Sequence, residues 1–190
     1  WPTDWSLYHE LAVVARDVGR AEEARRAEAA ALTLNANEPS ALNGQGLLLA
    51  DAGQHVEAAQ AFDEAVRRDP TNGVYAANLG NARRATGDLE GAATAYRRAL
   101  EHAPNLADAA NGLGVILVQQ QRPADAIAWL EQAARDPAFV EAQLNLGIAL
   151  QESGNLQRAK EQYRKVVAAK GAHTRERDAA RTLLAQLERR

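Results

Sequence analysis

The chain of 190 residues contains no cysteine. A disulfide framework and a thiolate metal site are therefore excluded, although an absence does not indicate the redox compartment. No apolar run approaches the roughly 20 residues of a membrane-spanning helix, so we expect no membrane contact by this segment. The chain opens on Trp1, without a charged-then-apolar leader, which predicts a trimmed domain, a processed protein or an unseen start. The location stays open between a bacterial cytoplasm and a periplasm.

Aromatic residues and strand signals are also scarce. Hydrophobic residues make up 46% of the chain but aromatic residues only 5%, so Ala and Leu dominate. No stretch alternates apolar and polar residues between strand-forming turns, and the composition favours closely packed helices. The formal net charge of −3 gives no general attraction for phosphate backbones, and we expect no nucleic acid partner. The sequence therefore predicts an all-α fold.

What the sequence does contain is an internal repeat with a period near 34 residues. Three columns recur in register, and a proline near the end of each of the middle units closes that unit. The first column is Gly46, Gly80, Gly114 and Gly147; the second is Gly19, Gly53, Gly87 and Gly154, interrupted by Gln121; the third is Ala24, Ala58, Ala92, Ala126 and Ala159; the prolines are Pro70, Pro104 and Pro137.

Each column has a physical reason in a unit made of two antiparallel helices. Gly80 lies within a helical pattern, where glycine is unfavourable, so we expect it to permit a close approach of the two helices. Gly53 and Gly87 lie between two helical patterns and are expected to end the first helix in the left-handed conformation. Pro70 and Pro104 are expected to end the second helix, because the residue before proline is disfavoured in a helix.

The segment Gly73 to Leu106, GVYAANLGNARRATGDLEGAATAYRRALEHAPNL, resembles the tetratricopeptide repeat family in its Leu-Gly pair, small Ala92 and Ala99, aromatic Tyr96 and closing Pro104. The resemblance implies a right-handed α-solenoid, a single domain over 1–190. Its repeats are expected at 5–38, 39–72, 73–106, 107–139 and 140–173, with a capping helix at 174–190. The first repeat is degenerate, with Ala12 where the family prefers glycine and Glu28 where it prefers an aromatic residue.

In tetratricopeptide proteins the concave surface formed by the first helices commonly binds an extended segment or a partner helix. Helical period places amides and aliphatic side chains on that surface, and we predict that they form a peptide-binding groove. The alternative is that the amides only suit a hydrated surface while Val115 and Ile148 pack neighbouring repeats. The predicted groove residues are Asn43, Leu47, Val74, Asn78, Asn81, Arg84, Asn111, Val115, Val118, Leu144, Asn145 and Ile148.

One binding mode of the family is disfavoured. The clamp for an acidic C-terminal tail uses Lys, Asn and Arg at set positions of successive first helices, and only Asn78 fits that pattern. Asp108 and Glu141 in the predicted groove would in addition repel a carboxylate.

Signals of catalysis or metal binding are weak. His9, His55, His102 and His173 are scattered over different repeats without metal-ligand spacing, and no serine has a nucleophile context. We therefore expect a scaffold, not an enzyme, with no cofactor and no metal. The alternative function is an accessory or oligomerisation module of a larger bacterial enzyme or assembly. A homo-oligomer through the terminal repeats is a further candidate, with Trp1 and Trp5 at the open end of the array and Trp129 on the fourth repeat as candidate contact residues. The alternative for Trp1 and Trp5 is that they cover the core of the first repeat.

Overall fold

The computed structural model describes residues 4–35, 37–169 and 174–189, and within these ranges it contains helices and no strand. Trp1 and His173, singled out from the sequence, lie outside the described residues. The chain divides into two compact units, Trp1–Pro104 and Asn105–Arg190, which we call unit 1 and unit 2. The predicted all-α fold class is confirmed.

The described residues of unit 1 form three helical hairpins, each lying within one of the first three predicted repeat ranges. Each hairpin consists of a first helix, a short turn and a second helix. The helices are α1 (Trp5–Asp17), α2 (Ala21–Leu34), α3 (Pro39–Asp51), α4 (His55–Arg68), α5 (Gly73–Ala85) and α6 (Leu89–His102). As expected, α4 and α6 end just before Pro70 and Pro104.

In unit 2, the part of the chain that the structure describes forms two hairpins followed by a single helix. Its helices are α7 (Ala107–Gln119), α8 (Pro123–Ala133), α9 (Val140–Glu152), α10 (Leu156–Ala168) and α11 (Thr174–Glu188). The terminal helix α11 packs on α10 and α9 and buries Ala180 and Leu187, while its remaining surface is largely polar. Such a helix covers the apolar side of the last hairpin. No helix in the described part of the chain is long and apolar enough to cross a bilayer.

A glycine of the first helix lies against a large side chain of the second helix in four of the hairpins. A Cβ atom built on Gly80 would lie 2.6 Å from the ring of Tyr96, and one on Gly46 would lie 2.5 Å from the ring of Phe62. Gly114 and Gly147 have the same relation to Leu130 and Tyr163. The predicted close approach is therefore confirmed, and any side chain at these positions would force the helices apart.

The turn between the two helices of a hairpin requires a positive φ angle. Gly53 and Gly87 have φ of 76° and 85°, which confirms the predicted left-handed caps. Where the glycine column is interrupted, Gln121 adopts φ of 60° and is the non-glycine residue with a positive φ among the described residues. The turn therefore keeps its left-handed backbone conformation, although this conformation is strained for a residue other than glycine.

The first hairpin departs from this packing. In place of an aromatic residue, α2 places Glu28 in the core with 2% of its surface exposed. The Glu28 carboxylate receives a bifurcated hydrogen bond from Nδ1 of His9, at 3.0 Å to Oε1 and 3.2 Å to Oε2. Gly44 of α3 approaches it so closely that a Cβ there would lie 2.7 Å from the carboxylate. The buried carboxylate thus has a hydrogen-bond partner on α1 and a space on α3.

Within each unit the first helices of successive hairpins lie side by side. The backbones of α1 and α3, α3 and α5, and α7 and α9 approach within 8 Å, whereas those of α2 and α4 or α8 and α10 do not. Each stack is therefore tighter along its first helices. We call the exposed side of α3 and α5 the unit 1 face, and that of α7 and α9 the unit 2 face.

The strain at Gln121 predicts that Gln121→Gly stabilises the protein by about 0.5–1 kcal/mol, because relief of the left-handed strain exceeds the entropy cost of glycine. The matched control is Gly154→Ala, at φ of 83° with nothing within 4 Å of an added Cβ. It should lose about 1 kcal/mol through strain alone. Urea unfolding followed by circular dichroism measures both changes in stability. A loss of stability in Gln121→Gly would contradict the assignment of backbone strain to Gln121.

The His9 contact predicts a pH dependence. Hydrogen bonding to Glu28, helped by the charges of Glu28 and Glu38, raises the pKa of His9, against the opposing effects of burial and of Arg16. A raised folded-state pKa stabilises the protein fully below the unfolded pKa of about 6.5, and this contribution is lost as pH rises through the folded pKa. Urea unfolding should therefore give a lower free energy of unfolding at about pH 8.5 than at about pH 6.

The control is the double substitution of His9→Leu and Glu28→Leu, which removes the His9 imidazole together with its carboxylate partner. It should show a smaller difference between the two pH values than the original chain. An equal difference in both proteins would place the pH dependence elsewhere.

Candidate functional site

The twelve predicted groove residues are divided equally between the two faces. They lie on the first helices, as helical period requires. The unit 1 face carries Asn43, Leu47, Val74, Asn78, Asn81 and Arg84, and the unit 2 face carries Asn111, Val115, Val118, Leu144, Asn145 and Ile148.

The amides of the unit 1 face bridge neighbouring repeats. Nδ2 of Asn78 on α5 donates a hydrogen bond of 2.8 Å to Oδ1 of Asn43 on α3. Both side chains are half-buried. One hydrogen bond uses one donor and one acceptor, so the Asn43 amide nitrogen and the Asn78 carbonyl oxygen retain capacity for a ligand.

The remainder of the unit 1 face is more exposed. Asn81 accepts a hydrogen bond of 2.7 Å from the hydroxyl of Tyr96, which reaches it from the second helix of the same hairpin. Leu47 is half-buried, whereas Val74 and Arg84 are exposed. This face therefore combines a fixed amide with an accessible aliphatic side chain and a cation.

The unit 2 face contains a connected polar cluster. Asn111 accepts a hydrogen bond of 2.9 Å from Nδ2 of Asn145 and donates one of 3.2 Å to Oε1 of Glu141. Only 7% of the surface of Asn111 is exposed, and Asn145 is half-buried. Asn111 thus holds α7 against α9, while Asn145 is the amide of the cluster that reaches solvent.

Aliphatic side chains adjoin this cluster. Val115 and Val118 on α7 and Ile148 on α9 are half-buried, whereas Leu144 is buried. Half-buried aliphatic residues offer apolar surface without exposing whole side chains to water. Leu144 contributes instead to the packing of α9.

The two faces differ in charge. Helical period places the exposed carboxylates of Asp108, Glu141 and Glu152 on the unit 2 face. Among its residues named above there is no basic side chain, whereas the unit 1 face carries Arg84. The unit 2 face is therefore electrostatically suited to a cationic ligand.

Sequence reasoning missed the hydrogen bonds that join the face to the core. Besides the Tyr96 contact, the hydroxyl of Tyr163 donates a bond of 3.0 Å to Oε1 of Gln151, and burial raises the pKa of Tyr163. Both tyrosines occupy the position of the large residue that covers a glycine. The available signal was the tyrosine itself, because a buried tyrosine hydroxyl usually finds a hydrogen-bond partner.

A cavity of about 360 Å³ lies in unit 1, between α4 and the end of α5. Its lining includes Asp63, Arg67 and Arg83, and Asp63 pairs with Arg83 at 3.1 Å and with Arg67 at 3.6 Å. Arg83 also approaches Asp88 at 3.9 Å. Because these charges already neutralise one another, the cavity offers no unpaired charge for an anionic or cationic ligand.

Stacked helical hairpins with glycine-based packing define a class of α-helical repeat proteins. The profile of the tetratricopeptide repeat family matches residues 9–73 and 78–140, and a second tetratricopeptide repeat profile matches 117–187. The chain belongs to the tetratricopeptide repeat family and is a protein-interaction module.

Solved structures of the same fold resemble the chain over nearly its whole length. A structure reported for PilF of Pseudomonas aeruginosa has a TM-score of 0.81 at 19% identity, covering 97% of this chain and 90% of that one. YrrB, described as a TPR protein with an unusual peptide-binding site, has a TM-score of 0.74 at 23% identity, with coverage of 94% and 93%. At these identities the likeness shows the fold alone.

Among curated proteins, protein O-mannosyl-transferase Tmtc3 of Drosophila melanogaster is 30% identical over 130 residues. The match covers 68% of this chain but only 14% of that relative. The similarity therefore concerns a repeat segment and carries none of the relative's activity to this chain.

The polar cluster of unit 2 predicts that Asn111→Ala lowers the free energy of unfolding by about 1–3 kcal/mol, because Glu141 and Asn145 both lose a partner. Gln119→Ala, an exposed substitution near the end of the same helix, is the control and should stay within about 0.5 kcal/mol. Urea unfolding measures the difference. Equal values would mean that the cluster does not hold α7 and α9 together.

Proposed function

We propose that the chain binds an extended peptide or partner helix through the unit 1 face and the unit 2 face. The observation that carries this proposal is the pairing of amides between neighbouring first helices beside half-buried aliphatic side chains. The amides are held in place by one another, so a ligand meets them at little cost in side-chain entropy. Their remaining donors and acceptors suit a peptide backbone.

The charges of the unit 2 face restrict the kind of peptide that we expect it to bind. Asp108, Glu141 and Glu152 favour a segment with Lys or Arg, and Val115, Val118 and Ile148 favour apolar side chains beside them. A ligand of the unit 2 face is therefore a basic and apolar segment. Asn111 and Leu144 act as positioning residues because they are buried.

Selection from a random-peptide library on the immobilised 190-residue chain tests the proposal. Peptides enriched in basic and apolar residues are expected, and their affinity is measured by fluorescence anisotropy. Asn145→Ala should weaken binding about fivefold, the equivalent of one hydrogen bond of about 1 kcal/mol. Asp108→Asn together with Glu152→Gln should weaken it further and reduce its dependence on salt.

The matched control is Gln157→Ala on the exposed surface of α10, which should leave the affinity unchanged. A selected peptide that is insensitive to the substitutions of the unit 2 face but sensitive to Gln157→Ala would overturn the proposal. A library that yields only acidic peptides would overturn the expected preference of the unit 2 face for basic peptides.

A second candidate function is a repeat module within a larger enzyme or assembly. The observation that favours it is the match to only 14% of a longer relative. Sequencing the reading frame on both sides of the segment tests this candidate. A frame without further coding sequence on either side would overturn it.

A further inference from the structure

Helix α1 carries a row of large aliphatic side chains that other described parts of the chain leave uncovered. Leu7, Leu11 and Val14 are 51%, 53% and 59% exposed, and Val18, directly after the helix, is 63% exposed. Their spacing of four, three and four residues places all of them on one side of the helix. Contiguous exposed aliphatics of this kind mark an interaction surface.

The repeat shows what kind of surface this row is. The equivalent residues of α3, one repeat later, are Ala41, Gln45 and Leu48. Leu48 packs with Ala24 of α2, and Gln45 and Leu48 line the junction with α2. In α3 this side of the helix therefore contacts the second helix of the preceding repeat. The same side of α1 is built to receive a helix.

The row differs from those that receive a second helix inside the array. The row of α3 has Ala41 and Ala52 at its two ends, that of α5 has Tyr75 and Thr86, and that of α9 has Ala142 and Ser153. Each of these rows therefore ends on a small or polar residue. The row of α1 ends on Val18 and is aliphatic at all four positions, so it is better suited to a helix that meets it with large apolar side chains.

A spacing of four, three and four is also that of the apolar seam of a two-helix coiled coil. Two copies of such a seam are complementary to each other, as a two-fold interface requires. Stacking onto the opposite end of another copy is disfavoured, because α11 exposes Arg175, Asp178 and Arg181 there. An apolar row gains nothing from a charged surface.

We propose that α1 is a dimerisation helix, whose row of Leu7, Leu11, Val14 and Val18 packs against the same row of a second copy of this chain. One helix per copy gives an interface near or below about 1,200 Å², which is the size of dissociable complexes. The dimer is therefore dissociable. Glu10 beside the row is acidic and exposed, so the same charges on the two copies repel each other and higher ionic strength favours the dimer.

Sedimentation equilibrium of the 190-residue chain at raised ionic strength, over a wide concentration range, tests the proposal. A concentration-dependent dimer is expected. Leu11→Glu should raise the dissociation constant about 100-fold or more, because each copy buries a carboxylate in the seam. The control is Val56→Glu on α4, a similarly exposed aliphatic residue that should leave the dissociation constant unchanged. A monomer at all concentrations, or a dimer equally sensitive to both substitutions, would overturn the proposal.

Disulfide trapping gives an independent measurement, since the chain has no other cysteine. Under mild oxidation, Leu11→Cys and Val14→Cys are mixed and compared with Val56→Cys. Central positions of a seam lie within reach of a disulfide, which needs Cα atoms less than about 7 Å apart. A mixed disulfide indicates antiparallel helices and two homodisulfides indicate parallel helices. Trapping no faster than for Val56→Cys would overturn the proposal.

Discussion

The contact between a glycine of the first helix and a large side chain of the second helix determines the rest of the structure. With Gly46, Gly80 and Gly147 against Phe62, Tyr96 and Tyr163, the two helices of a hairpin approach closely, and the ring occupies the space that a Cβ would take. This fixes which side of the first helix is buried and leaves the opposite side as the exposed face. The same rings carry the hydroxyls of Tyr96 and Tyr163 to Asn81 and Gln151. Core packing and the polar face are therefore one system of contacts.

The first hairpin shows what happens when this contact is replaced. A carboxylate cannot fill the space of a ring without a partner, since an unpaired buried charge costs several kcal/mol. His9 supplies the partner and Gly44 supplies the room. Apolar packing is thus partly exchanged for an interaction that depends on protonation. The same hairpin also carries the exposed row of α1, so it differs from the internal repeats on both of its sides.

The period of the sequence predicted the fold because every column reports a local steric requirement. A glycine with positive φ and a glycine under an aromatic ring leave distinct marks at fixed spacing, and both are found at the expected positions. The predicted groove residues were harder to assign. Asn43 and Asn111 share one position of the repeat while Asn78 and Asn145 lie one position later. Helical period places all four on the exposed side but cannot tell whether an amide faces a ligand or a neighbouring helix. That depends on the distance between repeats.

The amide pairs constrain how selective binding can arise. Because Asn78 binds Asn43 and Asn145 binds Asn111, part of the hydrogen-bonding capacity of each face is already used in holding the stack together. In the proposed binding mode, a peptide backbone meets fixed donors and acceptors, which are the same for every sequence and so add affinity without discrimination. Discrimination must come from the side chains that differ between the faces: the carboxylates and half-buried aliphatics of unit 2, and Val74 and Arg84 of unit 1. In the proposed binding mode, the common geometry of the repeat provides contacts to any peptide, and the residues that break its symmetry select the ligand.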